Sequence, residues 1–173
     1  MTAVDLRSKV REVPDFPTPG VGFKDVTPLL ADADALQQAI SALAEWVRAK
    51  EPDFVLGAEA RGFWLGAAIA AEVGVGFVPT RRPGKLPPET VSATYMLEYG
   101  ENSLELHPDL VQPGARVVIH DDVLATGGTV EAIAGLVRRL GGEVVGACFI
   151  IELTFLGGRE RLSDLDLHAL IDY

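Results

Sequence analysis

One cysteine in 173 residues, Cys148, is too few for an internal disulfide. It sits in the apolar run Val144 to Ile151, so the expectation is a buried, reduced thiol and a cytoplasmic location. Cations are scarce too: 15 Lys and Arg stand against 25 Asp and Glu, a formal charge of -10 at pH 7. A nucleic-acid surface needs a basic face, so that class of partner is excluded, and any anionic small molecule must be held by local cations. No apolar run reaches membrane-spanning length, and Met1 to Arg7 lack the basic start and apolar core of a signal peptide, so a soluble protein with no membrane partner is expected. The three histidines, His107, His120 and His168, are isolated and compose no His/Cys metal set. The Gly-Lys-Ser/Thr of a P-loop is missing, as is a Gly-x-Gly-x-x-Gly opening a helix. Repeats, low-complexity tracts and interdomain linkers are also absent. With 48% hydrophobic residues, the chain reads as one domain over 1–173.

What is present centres on Val117 to Thr129, an apolar run ending in Asp121 and Asp122 and then the small-residue turn Ala125-Thr126-Gly127-Gly128-Thr129. The run reads as a buried parallel strand. Val130, Ile133, Leu136, Val137 and Leu140 then keep helical spacing up to Gly141-Gly142, so the order is strand, acidic tip, loop, helix. A turn of Ala, Thr and Gly lets backbone N–H groups close on phosphate oxygens at a helix N-terminus, and Thr126 and Thr129 add hydroxyls. Two carboxylates beside that turn would repel phosphate. They are suited instead to accept hydrogen bonds from sugar hydroxyls or to hold waters around magnesium. The ligand implied carries both a phosphate and a diol.

Around this motif the spacing predicts a loose amphipathic helix over Val4 to Val13 and a non-helical segment over Pro14 to Gly20. A helix follows from about Asp34 to Lys50, with Asp34 and Gln37 as its capping pair. Phe54 to Ala58 reads as a buried strand, Glu59 to Gly62 as a turn, Phe63 to Val73 as a helix closed by Gly74, and Gly76 to Thr80 as the next strand. Arg81 to Thr90, with three prolines and a glycine, is a mobile loop. Val91 to Tyr99 and Ser103 to His107 make a hairpin turning at Gly100 to Asn102, and later strands fall at Val144 to Glu152 and Leu167 to Ile171. This βαβ order predicts an α/β fold with a largely parallel sheet and right-handed crossovers.

The Val117 to Thr129 stretch resembles the phosphoribosyl-diphosphate motif of type I phosphoribosyltransferases. Pro14 to Asp25, Leu97 to Gly100 and Ile151 to Glu160 are similar to the adenine phosphoribosyltransferases within that family, so the resemblance runs through nearly the whole chain. It implies the type I fold, with an N-terminal hood over about residues 1–30 and a mobile loop and hairpin over about 81–107. The implied reaction is adenine plus 5-phosphoribosyl 1-diphosphate, with magnesium, giving AMP and diphosphate in purine salvage; a homodimer is also implied.

By the same resemblance Arg61, beside Ala60, contacts the diphosphate, and Lys85 with Arg81 and Arg82 belongs to a lid. Arg61 as a solvated helix-start residue is the alternative. Phe23 stacks on adenine, Gly22 offers backbone groups to its edge and Leu153 covers the opposite face, although the burial habits of Phe alone favour a core position for Phe23. Glu98, next to Tyr99, handles the proton at the base; an outward strand carboxylate is the other reading. Asp121 and Asp122 face the ribose and reach magnesium through water. Two residues depart from the family pattern: Lys24, where arginine is common, and His120, read as a core histidine satisfied by a neighbour.

Overall fold

The structure is a computed structural model describing residues 4–97 and 100–173. The expected N-terminal helix is one turn of 3-10 helix, Leu6–Lys9, capped by the Asp5 carboxylate, which accepts from Arg7 N–H. From there the chain extends as β1 (Arg11–Val13), because its backbone pairs antiparallel with β2 (Phe23–Asp25), a partner outside any local window. The proline-rich stretch between them is non-helical, as expected.

A short α1 (Thr27–Ala31), with Pro28 in its first turn, leads into α2 (Ala33–Arg48). The N-cap of α2 is Asp32 rather than the expected Asp34: its carboxylate accepts from Ala35 N–H at 3.0 Å and also pairs with Lys9 at 2.6 Å. The next three elements match the sequence reading closely. They are β3 (Phe54–Ala58), buried throughout, α3 (Gly62–Val73), ended by Gly74 in the left-handed region at φ 89°, and β4 (Gly76–Thr80).

The hairpin is β5 (Val91–Leu97) and β6 (Gly100–Leu106), with Leu97 opposite Gly100. Gly100 to Asn102, expected as the turn, therefore belong to β6. The chain continues through β7 (Arg116–Leu124), α4 (Gly128–Arg139), β8 (Glu143–Glu152), the short α5 (Gly158–Arg161) and β9 (Leu167–Asp172).

Five parallel strands form the central sheet in the order β4-β3-β7-β8-β9. Side-chain alternation along these strands divides the core in two. Leu56, Val117, Ile119 and Phe149 pack on one side with α4 residues Ile133 and Leu136 and with Leu104 and Leu106 of the hairpin. Val55, Val118 and Ile150 pack on the other side with Leu43 and Val47 of α2 and Leu65 and Ile69 of α3. With both faces covered, β3, the first half of β7 and most of β8 carry near-continuous apolar runs, the expected signature of a parallel sheet. Among the described residues no helix is long and apolar enough to cross a membrane.

Candidate active site

At the carboxyl ends of β3, β7 and β8, where open α/β sheets bind ligands, lies a cavity of about 320 Å³. One part of its wall is the turn from Ala125 to Thr129. Gly127 holds a left-handed φ of 80° as the N-cap of α4, and the first helical amides have no acceptor within the helix. The turn is backed by close contact: a Cβ on Gly158 would lie 2.2 Å from the Ala125 carbonyl oxygen, so only glycine lets α5 approach this loop. Thr129 Oγ1 lies 3.5 Å from the Tyr95 hydroxyl, which joins the helix start to the hairpin.

The carboxylates are not at a loop tip. Strand β7 runs on through them to Leu124 because β8 keeps pairing with it, Asp121 against Phe149 and Val123 against Ile151. Consecutive strand residues then diverge. Asp121 lines the main cavity, whereas Asp122 turns into a neighbouring hollow of about 350 Å³ beside Val13, Phe16 and Trp64. There Arg61 Nε lies 3.1 Å from Asp122 Oδ2, a charge contact without a well-directed hydrogen bond, since Oδ2 is buried and accepts none. Burial and the adjacent Asp122 charge push the Asp121 carboxyl well above the ordinary carboxylate range. Burial also raises Asp122, and Arg61 acts against that.

Elsewhere the cavity wall carries Val21, Phe23 and Leu153. Phe23 and Gly22 come from the segment entering β2, and Leu153 follows β8, tied by its N–H to the Leu124 carbonyl at 2.9 Å. Arg61 also lines this space, its guanidinium 5.5 Å from the centre of the Phe23 ring, and Phe16 packs edge-to-face with the same ring, their centres 5.1 Å apart. Lys24 lines the cavity with its ammonium 2.8 Å from Glu12.

Of the residues expected at a site, Gly22, Phe23, Lys24, Arg61, Asp121, Ala125, Thr126, Gly127, Gly128, Thr129 and Leu153 converge on this one cavity. Ala60 is exposed at the β3–α3 turn and does not line it, nor does Lys85, exposed on its loop. Glu98 and Tyr99 lie outside the described residues. The loop is anchored at its start. Arg81 Nε bonds the Glu59 carboxylate at 2.9 Å and Arg82 N–H bonds it at 2.7 Å, so Arg81 has a partner without any ligand. Burial raises the Glu59 carboxyl, but those bonds outweigh it and hold the group below its usual range.

His120 is fully buried. Its Nδ1–H donates to the Cys148 carbonyl at 3.0 Å while Nε2 has no hydrogen-bond partner among the described residues, so the neighbour satisfies one nitrogen only. Burial lowers its pKa to about 4, which keeps it neutral. Cys148 is buried as expected, with its thiol pushed far up by burial.

Sequence reasoning did not single out Val21, Val123, Leu124 and Val130 for the cavity wall, since an apolar side chain carries no chemical signal of its own. It also missed the Glu152–Arg159 pair behind Leu153, in which Arg159 Nε spans both carboxylate oxygens at 3.0 and 3.2 Å. An acid and a base on either side of a strand end could have been noticed only with the fold in hand.

The model of the phosphoribosyl transferase domain family matches residues 30–166. An adenine phosphoribosyltransferase of Desulfitobacterium hafniense is 52% identical over 173 residues, all of both chains, and one of Acidobacterium capsulatum is 55% identical over 97% of this chain and 93% of its own. Among solved structures, the adenine phosphoribosyltransferase of Thermoanaerobacter pseudethanolicus superposes with a TM-score of 0.94 at 51% identity, covering 98% of both chains. The enzyme of Giardia lamblia, solved with 9-deazaadenine, gives 0.93 at 33% identity, covering 98% of this chain and 96% of its own. With this fold and these relatives, the chain belongs to the phosphoribosyltransferase family, among its adenine phosphoribosyltransferases.

Proposed function

We propose that this chain transfers the 5-phosphoribosyl group of 5-phosphoribosyl 1-diphosphate to N9 of adenine, giving AMP and diphosphate in purine salvage. The observation that carries the reading is one cavity lined by an amide-rich turn, a carboxylate and the side chains of Phe23 and Leu153. These match the 5-phosphate, the ribose and the base of one nucleotide. The bond from C1 of the ribose to the diphosphate oxygen breaks, the bond from C1 to N9 forms, and the N9 proton leaves the base. Cationic character develops on the ribose as diphosphate departs. A carboxylate fixed beside the ring stabilises that charge without reorganising, which is the role of Asp121.

Arg61 lines the cavity beside Phe23, so it would hold diphosphate once it releases Asp122. Lys85 reaches the same group when the loop closes, and closure excludes water that would otherwise capture the ribosyl centre. Glu98 takes the proton by the family resemblance. Asp121 would reach magnesium only through water, as an ion carried in on the substrate, and Asp122, turned into the neighbouring hollow, would do so only after releasing Arg61, since no group of three His, Cys, Asp or Glu side chains among the described residues could hold a metal. Bound there, magnesium neutralises charge on the leaving group. The buried thiol of Cys148 suits a cytoplasmic setting, and the resemblance supports a homodimer.

The test is AMP formation with adenine, hypoxanthine and guanine in parallel. Backbone groups that satisfy an amino donor are left unpaired against a 6-oxo base, so adenine is expected to win by at least about 10²-fold in kcat/KM. Comparable efficiency with hypoxanthine would defeat the adenine assignment.

A further inference from the structure

Lys24 stands in the wall of the base cleft, yet its ammonium is held from behind. It is paired with Glu12, its direct cross-strand neighbour in the β1–β2 ribbon, at 2.8 Å. It also lies 4.1 Å from the centre of the Tyr173 ring, within the range of a cation–π contact. The Lys24 side chain is only 11% exposed. Tyr173 is itself fixed at both backbone groups. Its N–H donates to the Glu152 carbonyl at 2.9 Å, and its carbonyl accepts from Thr154 N–H at 2.9 Å and Thr154 Oγ1 at 2.7 Å. Arg7 adds a second cation 4.7 Å from the same ring.

We infer that Tyr173 is a positioning residue for base selection, holding the Lys24 ammonium against the hood and away from the edge of the bound purine. The chemistry follows from what an ammonium can do. It donates and never accepts, and a 6-oxo purine offers an acceptor where adenine offers an amino donor. A lysine free to turn into the cleft would therefore favour hypoxanthine and guanine, eroding a preference set by backbone groups. At this position a lysine has a flexible stem and a point charge, so its direction must be imposed from outside. Glu12 is 68% exposed and solvent-screened, which leaves the anchored aromatic ring as the firmer restraint. This inference rests on the adenine reading of the same cavity.

The test compares adenine and hypoxanthine kcat/KM in the parent, Tyr173→Leu, Tyr173→Phe and the double variant Tyr173→Leu with Lys24→Met. Tyr173→Leu is expected to lower the adenine-to-hypoxanthine ratio by at least about 5-fold, the scale of one cation–π contact. Tyr173→Phe keeps the ring and should stay within about 2-fold of the parent, and removing the ammonium in the double variant should restore the parental ratio. An unchanged ratio in folded Tyr173→Leu, or no restoration in the double variant, overturns the inference. Failure of the parent to make AMP would instead sink the functional reading. Independently of activity, the Lys24 ε-methylene protons should show an upfield ring-current shift in the ligand-free protein that vanishes in Tyr173→Leu; an ordinary shift in the parent means that the ring does not hold the lysine.

Discussion

Asp121 carries a conflict between stability and use. Its carboxyl is raised by burial and by the charge of Asp122, so the folded protein resists its ionisation although the role proposed for it needs it ionised. A group whose folded pKa is raised contributes stability below its unfolded pKa, and that contribution disappears as pH climbs through the folded value. Asp121→Asn is therefore expected to melt above the ligand-free parent at about pH 7.5, with the gap closing as pH falls toward about 4. AMP formation should fall by at least about 10²-fold, as for loss of a fixed electrostatic stabiliser. Near-parental turnover in the folded variant would remove Asp121 from the chemistry. His120 has the opposite sign. Its folded pKa is depressed to about 4, so its contribution is present above the unfolded value of 6.5 and is lost as pH falls toward 4. Acid melting curves over that window should flatten in His120→Leu, and equal curves would mean that another group sets the acid limit.

At the scale of elements, the turn from Ala125 to Thr129 depends on a helix that comes much later in the chain. Gly158 opens α5 against the Ala125 carbonyl, and a methyl there would have to displace backbone rather than a flexible side-chain end. Gly158→Ala should cost roughly 1–3 kcal/mol by overpacking, read by denaturant unfolding. It should also raise KM for the sugar diphosphate more than KM for adenine, because the displaced atoms belong to the phosphate end. Equal changes in both constants would separate α5 from that end of the cavity.

The loop from Arg81 to Thr90 behaves as two parts. Arg81 is pinned by Glu59 and by mutual backbone hydrogen bonds with Glu105, whereas Arg82 and Lys85 are exposed. Hydrogen exchange should show new protection over residues 84–90 when sugar diphosphate and magnesium are added, with the amides of Arg81 and Arg82, already bonded, little changed. Uniform exchange with and without ligand would argue against a closing lid.

For the molecule as a whole, the two faces of the sheet have different duties. The α4 face lies under the turn from Ala125 to Thr129, and the face of α2 and α3 supplies stability with Leu43 and Ile69 completely buried. Leu43→Ala should cost about 2–5 kcal/mol in unfolding free energy by transfer and cavity terms. It should leave the ratio of adenine to hypoxanthine use unchanged, since among the described residues no wall of the base cleft comes from α2. A shift in that ratio would mean that the core and the cleft are mechanically coupled.

Local chemistry alone determined much of this protein. The apolar run from Phe54 to Ala58, the glycine stop at Gly74 and the Ala-Thr-Gly-Gly-Thr turn each carry their conformation within a few residues, and each is found where the sequence places it. Tertiary structure decided the features that depend on a partner distant in sequence. Pairing with β2 converts Arg11 to Val13 into a strand, and Lys9 helps select Asp32 over Asp34 as the cap of α2. Pairing with β8 carries β7 beyond the buried Ile119, through both carboxylates, to Leu124, and this sends Asp121 and Asp122 into different cavities. The ring of Tyr173 meets Lys24 only because β9 ends beside the β1–β2 ribbon. A residue's own preferences are readable from its neighbours in sequence, whereas an ion pair, a shared cap or a side chain's choice of cavity depends on which distant surfaces the packed sheet brings together.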